Sequence, residues 1–590
     1  MLTIRLLGRP TIERDDQPVR SPRGRKAWAL LAYVLLAERP PSRRTLAELL
    51  FRDADDPLGA LRWTLAELRR ALGLPDSFSG DPVLSNLGPD VTVDIEDPET
   101  TSEGELLDGV ELPSSLEFES WLLVARHRVS AAQEARVREI AVGLLATGHA
   151  GEAVAYASRA VARNPYEEGN HELLVRCLAA AGDRAAARRQ VAVCEDLFRR
   201  ELGTRPSPAL REAADIPTGS PMALPLGGRA AAASQLDAGR AAIVAGAVDA
   251  GLQSLRRAVV EAERSGDTAL HGRALTALGS ALIHAARGRD EEGSVVLHEA
   301  IAVTTAAGDR ATAVTAHREL GFVEVQAGRR TTADAWLGKA HAMAETDEEI
   351  GAILAVRGQN ASDRGDYPGA FEFLREGLER SERSDDRRQQ AWTLSMVGRA
   401  HLLRAEHSQA AVAVARSLEL IREQRWMALL PWSQTLQAEL DLIAGDVDRA
   451  ANGLEQAWVL GCQLNDPCWE GMAARGLGLL QAHQGDKAAA VRWLGEAATR
   501  SSRVSDRYQW VFGHVLDASA GAAIDQGDEE RGRALVTALG SLAARCDMRE
   551  LVARAHLHRG RLGDSSAVAS ARLLAADIDN PALADLMRAA

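Results

Sequence analysis

Three stretches decide the fold: GDYPGAFEFL (365–374), GDVDRAANGL (445–454) and GDKAAAVRWL (485–494). Each opens on Gly-Asp and runs into an alanine-rich amphipathic segment. Glycine supplies the left-handed backbone that ends one helix, and the aspartate carboxylate can accept the free amides that begin the next. Such a unit is the turn of a helical hairpin. Working outward, the same turn position recurs at Gly246, Gly288, Gly328, Gly365, Ala405, Gly445, Gly485 and Gly527, with spacings of 42, 40, 37, 40, 40, 40 and 42 residues. A regular period of this length is an internal repeat, and it predicts stacked helix pairs, because one pair cannot bury its apolar face alone.

A second register supports the first. Gly321, Gly358, Gly398 and Gly478 each lie seven residues before their turn residue. Glycine within a helix costs about 1 kcal/mol relative to alanine, so its recurrence at one register predicts that paired helices approach closely there. Residues 236–590 are therefore expected to form about eight tetratricopeptide-type units wound into a superhelix with a concave groove. Eight of the 11 tryptophans fall in this array. Trp336, Trp493 and Phe373, each eight residues after its turn glycine, are expected to pack between helices. Trp392, Trp426, Trp432, Trp469 and Trp510 lie on or beside the helices that precede a turn. Either core packing or a groove lining fits them, and Trp392, Trp432, Trp469 and Trp510 are the candidate ligand-groove residues.

The first hundred residues follow another pattern. Short apolar or β-branched runs at 2–7, 11–12 and 19 predict antiparallel strands. KAWALLAYVLLA (26–37) predicts a buried helix ended by Pro40 and Pro41, and Ser42 can cap a short helix through Leu46, Leu49 and Leu50. Pro57 then begins PLGALRWTLAELRRAL (57–72), in which Leu58, Leu61, Leu65, Leu68 and Leu72 make one buried stripe. Arg62, Trp63, Ala66 and Arg70 fall on the opposite face, with Arg69 at its edge. A helix that presents guanidinium groups away from its core suits a major groove, because arginine bonds guanine bidentately and also pairs with phosphate. Residues 82–94, PVLSNLGPDVTVD, predict a closing hairpin turned at Gly88 and Pro89. Strands, three helices and a hairpin in this order make an α+β winged helix over residues 1–95.

Charge bears on partners. The whole chain carries -14, so any nucleic-acid affinity must be local. Residues 20–44 hold seven cations (Arg20, Arg23, Arg25, Lys26, Arg39, Arg43 and Arg44) against the single anion Glu38, a balance of 7 - 1 = +6. The candidate DNA-binding residues are Arg25, Lys26, Arg43, Arg44, Arg62, Trp63, Arg69 and Arg70.

With IRLLG (4–8), KAWALLAYVLL, LAELLF (46–51) and above all LRWTLAELRRALG (61–73) in view, residues 1–95 resemble the DNA-binding domain of the SARP and AfsR class of regulators, related to the OmpR-type winged helix. The segment SNLGPDVTVD departs from that class, since it lacks the Gly-Tyr-x-Leu pattern of the wing. Residues 100–215 resemble the bacterial transcriptional activation domain that follows in the same class, through GELLDG (104–109), ESW (119–121), GHAGEAVAYASRAVARNPYEEGNHELL (148–174), AAGDRAAARRQV (180–191) and LFRRELGTRPSPAL (197–210). Within it Gly148 and Gly182 are 34 residues apart, each opening a Gly-x4-Ala unit, which predicts stacked helix hairpins. The array resembles the tetratricopeptide sensor domains of MalT-like regulators. Between the two, residues 216–235 begin IPTGSPMALPLGGR and are expected to be a linker.

The resemblance implies a transcription activator that binds direct repeats beside promoters and contacts RNA polymerase, with an unknown ligand or protein at the array and self-association into a homo-oligomer left open. The alternative is a tetratricopeptide interaction scaffold whose winged helix no longer binds DNA. Residues 1–100 carry 14 cations and 16 anions, a balance of 14 - 16 = -2, which keeps that alternative standing.

Other classes are not expected. Many large relatives carry a nucleotide-hydrolysing module with a Gly-x4-Gly-Lys-Ser/Thr loop, yet none of Lys26, Lys339 and Lys487 precedes Ser or Thr. HExxH and Gly-x-Ser-x-Gly are missing, and His556 and His558 would point to different faces of a helix. No enzyme activity, metal or cofactor is expected. The five cysteines (Cys177, Cys194, Cys462, Cys468 and Cys546) have no CxxC spacing and are expected to be buried thiols. The apolar run at 27–37 is too short to span a bilayer and the opening MLTIRLLG predicts a strand rather than a signal peptide, so a cytoplasmic protein with no membrane partner is expected.

Overall fold

A computed structural model describes residues 1–15, 17–37, 39–95, 104–215, 228–503 and 507–590. The chain is mainly helical with a small N-terminal sheet, and it divides into two compact units, Met1–Gln133 with Gly563–Leu573, and Glu134–Leu562 with Leu574–Ala590. Most of the expected linker, 216–227, lies outside the described residues, as does the anion Glu38.

In the first unit, β1 (Leu2–Arg5) pairs antiparallel with β2 (Thr11–Arg14), and β2 with the short β3 (Gln17–Pro18). Three helices follow, α1 (Arg25–Leu36), α2 (Arg43–Leu50) and α3 (Pro57–Leu72). The local chemistry explains their ends. Ser42 caps α2 by accepting the Thr45 amide, and Asp56 caps α3 by accepting the Gly59 amide, with Pro57 at the first helical position. Gly73 ends α3 in the left-handed conformation at φ 72°. Leu61, Leu65, Leu68 and Leu72 of α3 are buried against Ile4, Leu30, Leu31, Leu46 and Phe78. Leu58 departs from the expected stripe: it is exposed, because the first turn of α3 lies beyond the core.

The expected hairpin over 82–94 does not form. Instead β4 (Val91–Val93) lies parallel to β1 and completes the sheet order β3-β2-β1-β4. Two interactions favour this. Strand β1 has a free edge that β4 satisfies, and Pro82 and Pro89 cannot donate to a hairpin ladder. Asp94, buried, then accepts the amides of Leu6 at 2.8 Å and Leu7 at 3.1 Å and locks the strand in register. Burial pushes its carboxyl above the usual range despite those bonds. The first half of α4 (Leu116–Ala146) joins the same core through Phe118, Leu122 and Val129.

In the second unit, eight helix hairpins follow one another among the described residues. They pair Arg229–Val244 with Val248–Ser265, Thr268–His284 with Asp290–Ala307, Arg310–Gln326 with Arg330–Met343, and Asp347–Arg364 with Tyr367–Arg383. The remaining four are Arg387–Leu403 with His407–Glu423, Leu430–Ile443 with Val447–Leu464, Pro467–His483 with Lys487–Ser501, and Gln509–Asp525 with Glu529–Arg545. Each expected turn residue has positive φ, from 58° at Ala405 to 91° at Gly365. Asp366, Asp446, Asp486 and Asp528 each cap the helix that follows. At the second glycine register a Cβ would meet Leu337 at 2.6 Å from Gly321, Leu374 at 2.5 Å from Gly358, Val414 at 2.5 Å from Gly398 and Leu494 at 2.8 Å from Gly478. The absent side chain is what lets each pair close.

Residues 134–215 fold with the array in this unit. Arg138, almost wholly buried, bonds Asn170 at 2.7 Å and both carboxylate oxygens of Glu291 at 2.6 and 2.7 Å. Gly148 and Gly182 turn with φ 82° and 88°, and Ala153 and Ala187 behind them are fully buried. The superhelix also closes on itself. Asp363, with no exposed side-chain surface, accepts from Arg330 at 3.0 Å, Arg399 at 2.7 Å and the Tyr508 hydroxyl at 2.8 and 2.9 Å. Tyr508 in turn accepts from Arg399 at 2.8 Å and Gln359 at 2.9 Å. Tyr367 donates to Glu550 at 2.5 Å and Arg287 pairs with Asp466 at 2.6 Å. Hairpins far apart in sequence therefore meet across the groove. Cys177, Cys194 and Cys546 are buried, whereas Cys462 and Cys468 are only half-buried, near the end of one helix and the start of the next.

Two substitutions test the packing. Gly358→Ala should destabilise the chain by about 1–3 kcal/mol through overpacking against Leu374, whereas Gly495→Ala, a helical position with no neighbour within 4 Å, should stabilise it by about 0.5–1 kcal/mol. Thermal or urea denaturation measures both, and effects of the same sign would refute the packing role of the glycine register. Asp363→Asn should cost about 3–5 kcal/mol, since it leaves two buried guanidinium groups without a counter-charge.

Candidate nucleic-acid interface and ligand cavity

The buried leucines of α3 determine what its other side offers. Trp63 is 57% exposed, and the side chains of Arg62 and Arg70 are each 65% exposed. Their intramolecular partners differ. Arg62 reaches Asp56 at 3.5 Å at the helix start, and Arg70 reaches Glu67 at 3.0 Å one turn back. The Arg62 pair is exposed on both sides and contributes about 0–1 kcal/mol, so its guanidinium can be redirected to another anion, whereas the Glu67 carboxylate is buried and holds Arg70 more firmly. Arg69 is placed differently. It is half-buried and donates to the carbonyls of Ser77 and Phe78, both at 2.8 Å, so it anchors the loop after α3.

The other predicted cations divide in the same way. Arg43 opens α2, but its guanidinium donates to the Gly80 carbonyl at 2.9 Å and its amide to Asp81 at 2.9 Å, which ties α2 to the loop after α3. Arg44 beside it is 87% exposed and pairs with Glu48 one turn on. Arg25 is exposed at the start of α1. Lys26 is half-buried, bonded to Asp53, with its ammonium 5.4 Å from the centre of the Phe51 ring. Arg25, Arg44, Arg62, Trp63 and Arg70 are therefore presented to solvent, whereas Lys26, Arg43 and Arg69 are engaged in holding the fold.

The second site lies in the array, a cavity of about 250 Å³. Helices that begin hairpins supply its wall: Phe322, Trp392, Trp432 and Trp469 come from four of them, joined by Trp426 from the segment before the helix of Trp432 and by Tyr508 from the segment before a fifth. Trp432 is 1% exposed and packs on Trp469 with ring centres 5.3 Å apart, and Trp392 lies 6.3 Å from Phe322. Three of the four candidate groove tryptophans thus meet in one place. Trp510 lies behind the wall, buried against Trp432 at 6.2 Å and Tyr508 at 5.8 Å, with the Arg399 guanidinium 4.4 Å from its ring centre.

Most polar groups of the cavity already have partners. The Trp469 indole donates to the Ala428 carbonyl at 2.9 Å, His284 meets Glu319 at 2.6 Å, and Arg287 meets Asp466. Burial pushes the Asp466 carboxyl and the Tyr508 phenol up, so the phenol keeps its proton. Trp336 and Trp493 lie away from the cavity. Trp336 is buried beside His298 and His317, and Trp493 sits edge-on to Trp458 at 5.4 Å. Sequence patterns found the tryptophans but missed Phe322, Gln359, Tyr508 and the Arg287–Asp466 pair. Their only local signal was polarity or aromaticity on or beside helices that begin hairpins, which an exposed groove would show equally.

Residues 103–215 match the family described as bacterial transcriptional activator domain. No curated protein matches the sequence at a significant level. Among solved structures, a Rap protein complexed with Competence and Sporulation Factor is similar over 61% of this chain and 95% of its own, with 11% identity and a TM-score of 0.39. A tetratricopeptide repeat protein from Parabacteroides merdae covers 49% of this chain and 99% of its own, at 17% identity and a TM-score of 0.30. Mycobacterium tuberculosis EmbR covers 36% of this chain and 64% of its own, at 17% identity and a TM-score of 0.28. A bacterial transcriptional activator domain thus occupies residues 103–215, and an array of tetratricopeptide-type helix hairpins follows it.

Proposed function

We propose that the chain is a sequence-specific DNA-binding regulator, an activator of transcription, whose N-terminal unit acts as a winged helix and whose array senses a ligand or partner. The observation that carries this is the exposed face of α3, where Arg62, Trp63 and Arg70 stand opposite a buried leucine stripe on a helix that precedes the activator domain in the chain. A helix of 16 residues held by its leucines can enter a major groove with Arg62 and Arg70 toward base edges, while Arg44 at the start of α2 and Arg25 at the start of α1 meet phosphate. The parallel strand β4 replaces a closing hairpin, so the minor-groove contact of a wing is not part of this proposal. RNA polymerase is the partner proposed for the activator domain, by its family. Among the described residues no helix is long and apolar enough to cross a membrane.

Sensing by the array requires that its ligand favour one state of the chain over another, since equal affinity for both shifts nothing. The work assigned to the chain is binding rather than chemistry. Purified protein should therefore neither hydrolyse ATP nor gain thermal stability from it, and magnesium-dependent turnover that follows the protein through several columns would refute this.

The DNA assignment is tested by gel shift on fragments from upstream of the protein's own gene, across salt concentrations. Arg62→Ala should lose about 1–3 kcal/mol of affinity and relax base preference, whereas Arg44→Ala should weaken all sequences alike and lower the salt slope by about 1. Arg69→Ala should act through stability instead, lowering the melting temperature of the free protein. If Arg62→Ala and Arg44→Ala bind as the parent does, or if the parent binds no fragment, α3 is not a reading helix and the scaffold reading takes its place.

A further inference from the structure

The cavity in the array has a composition that narrows what can fill it. Six aromatic rings (Phe322, Trp392, Trp426, Trp432, Trp469 and Tyr508) stand around a space of about 250 Å³. They offer π faces, which gain most from a flat aromatic partner stacked or set edge-on. The polar groups are largely taken: Trp469 by the Ala428 carbonyl, Arg287 and Asp466 by each other, His284 by Glu319, Tyr508 by Asp363. A sugar or a peptide backbone would bring many hydroxyl or amide groups here and leave those against the aromatic wall without partners, which is costly.

The wall is not wholly satisfied, however. The indole N–H of Trp432 and Oε1 of Gln359 are buried with no hydrogen-bond partner. The Gln359 amide cannot simply turn over, because its Nε2 donates to the Tyr508 hydroxyl, whose own proton goes to Asp363. One unmet donor and one unmet acceptor remain among the lining residues. The space is near the lower end of ligand pockets, about 300–1,000 Å³, and so takes a bicyclic or tricyclic skeleton.

We propose that this cavity binds a planar fused-ring aromatic molecule that carries one hydrogen-bond acceptor and one donor, stacked among Trp392, Trp432 and Trp469. The inference rests on the reading of the array as a sensor and names the class of ligand it senses. Acridone, a flat tricycle with one N–H and one carbonyl, is a direct probe. Titrated into the full-length protein, it should quench tryptophan fluorescence saturably with one site per chain, and calorimetry should give the same micromolar-range affinity. Trp392→Ala and Trp469→Ala, both at half-buried wall positions, should each weaken binding by about tenfold, the upper range for loss of an aromatic pair. Trp493→Phe, outside the cavity, should bind as the parent does. Circular dichroism checks the fold of each variant, and Trp392→Leu, which keeps apolar bulk without the π face, replaces any variant that loses helicity. Absence of saturable binding, equal affinity in the wall variants, or binding of a glucose trisaccharide in place of acridone would each overturn the proposal. The titration contains no DNA, so its outcome and that of the gel shift stand apart.

Discussion

The array depends on one buried carboxylate. Asp363 receives two guanidinium groups and a phenol, contributed by the third, fifth and eighth hairpins, and no atom of its side chain reaches solvent. Two cations on one anion leave surplus positive charge in the interior. Carbonyl oxygens of Val325 and Cys546, which accept from Arg330, and the π face of Trp510 beneath Arg399 offset part of it. Charges removed from water gain from their partners only when geometry is good and every remaining lone pair is met. The cluster is thus a registry device: the eighth hairpin fits the fourth and fifth in one position, since any slip would strand a charge.

The glycine turns and the cluster act at different ranges. Turns with φ between 58° and 91° set each helix against its partner, and the bare glycine faces bring the pairs close. Repetition of that geometry curves the array until distant hairpins meet. Once they meet, their inner helices line one partly open cavity, and residues that a single hairpin would leave in water become its wall. The position of Tyr508 shows the coupling, because its ring lines the cavity while its hydroxyl belongs to the Asp363 cluster. A ligand that shifts Tyr508 therefore acts on the contact that holds the superhelix closed.

The N-terminal unit makes a similar economy with its cations. A chain of net charge -14 cannot attract a polyanion as a whole, so the sign of the field matters only where solvent-exposed arginines gather. Arg43 and Arg69 are drawn into carbonyl contacts that position α2 and the loop after α3. That leaves Arg62, Trp63, Arg70 and Arg44 presented on a rigid support, which is what base recognition requires of a helix face.

By itself the sequence determined the helix pairs, their turns and their close approach, because glycine, aspartate caps and apolar periodicity act within a few residues of where they stand. The boundaries of α3 were legible for the same reason, and so was the placement of tryptophans on or beside helices that begin hairpins. Three things were decided only in three dimensions. Residues 91–93 joined β1 in parallel because a free sheet edge and the amides of Leu6 and Leu7 lay within reach, and no local pattern announces a partner so far away in the chain. Arg69 and Trp510 turned from candidate contacts into supports for the same kind of reason. Above all, nothing local marked Gln359, Ser362 and Asp363 as buried, and they became so because the superhelix, winding through several hairpins, brought Arg399 and Tyr508 against them.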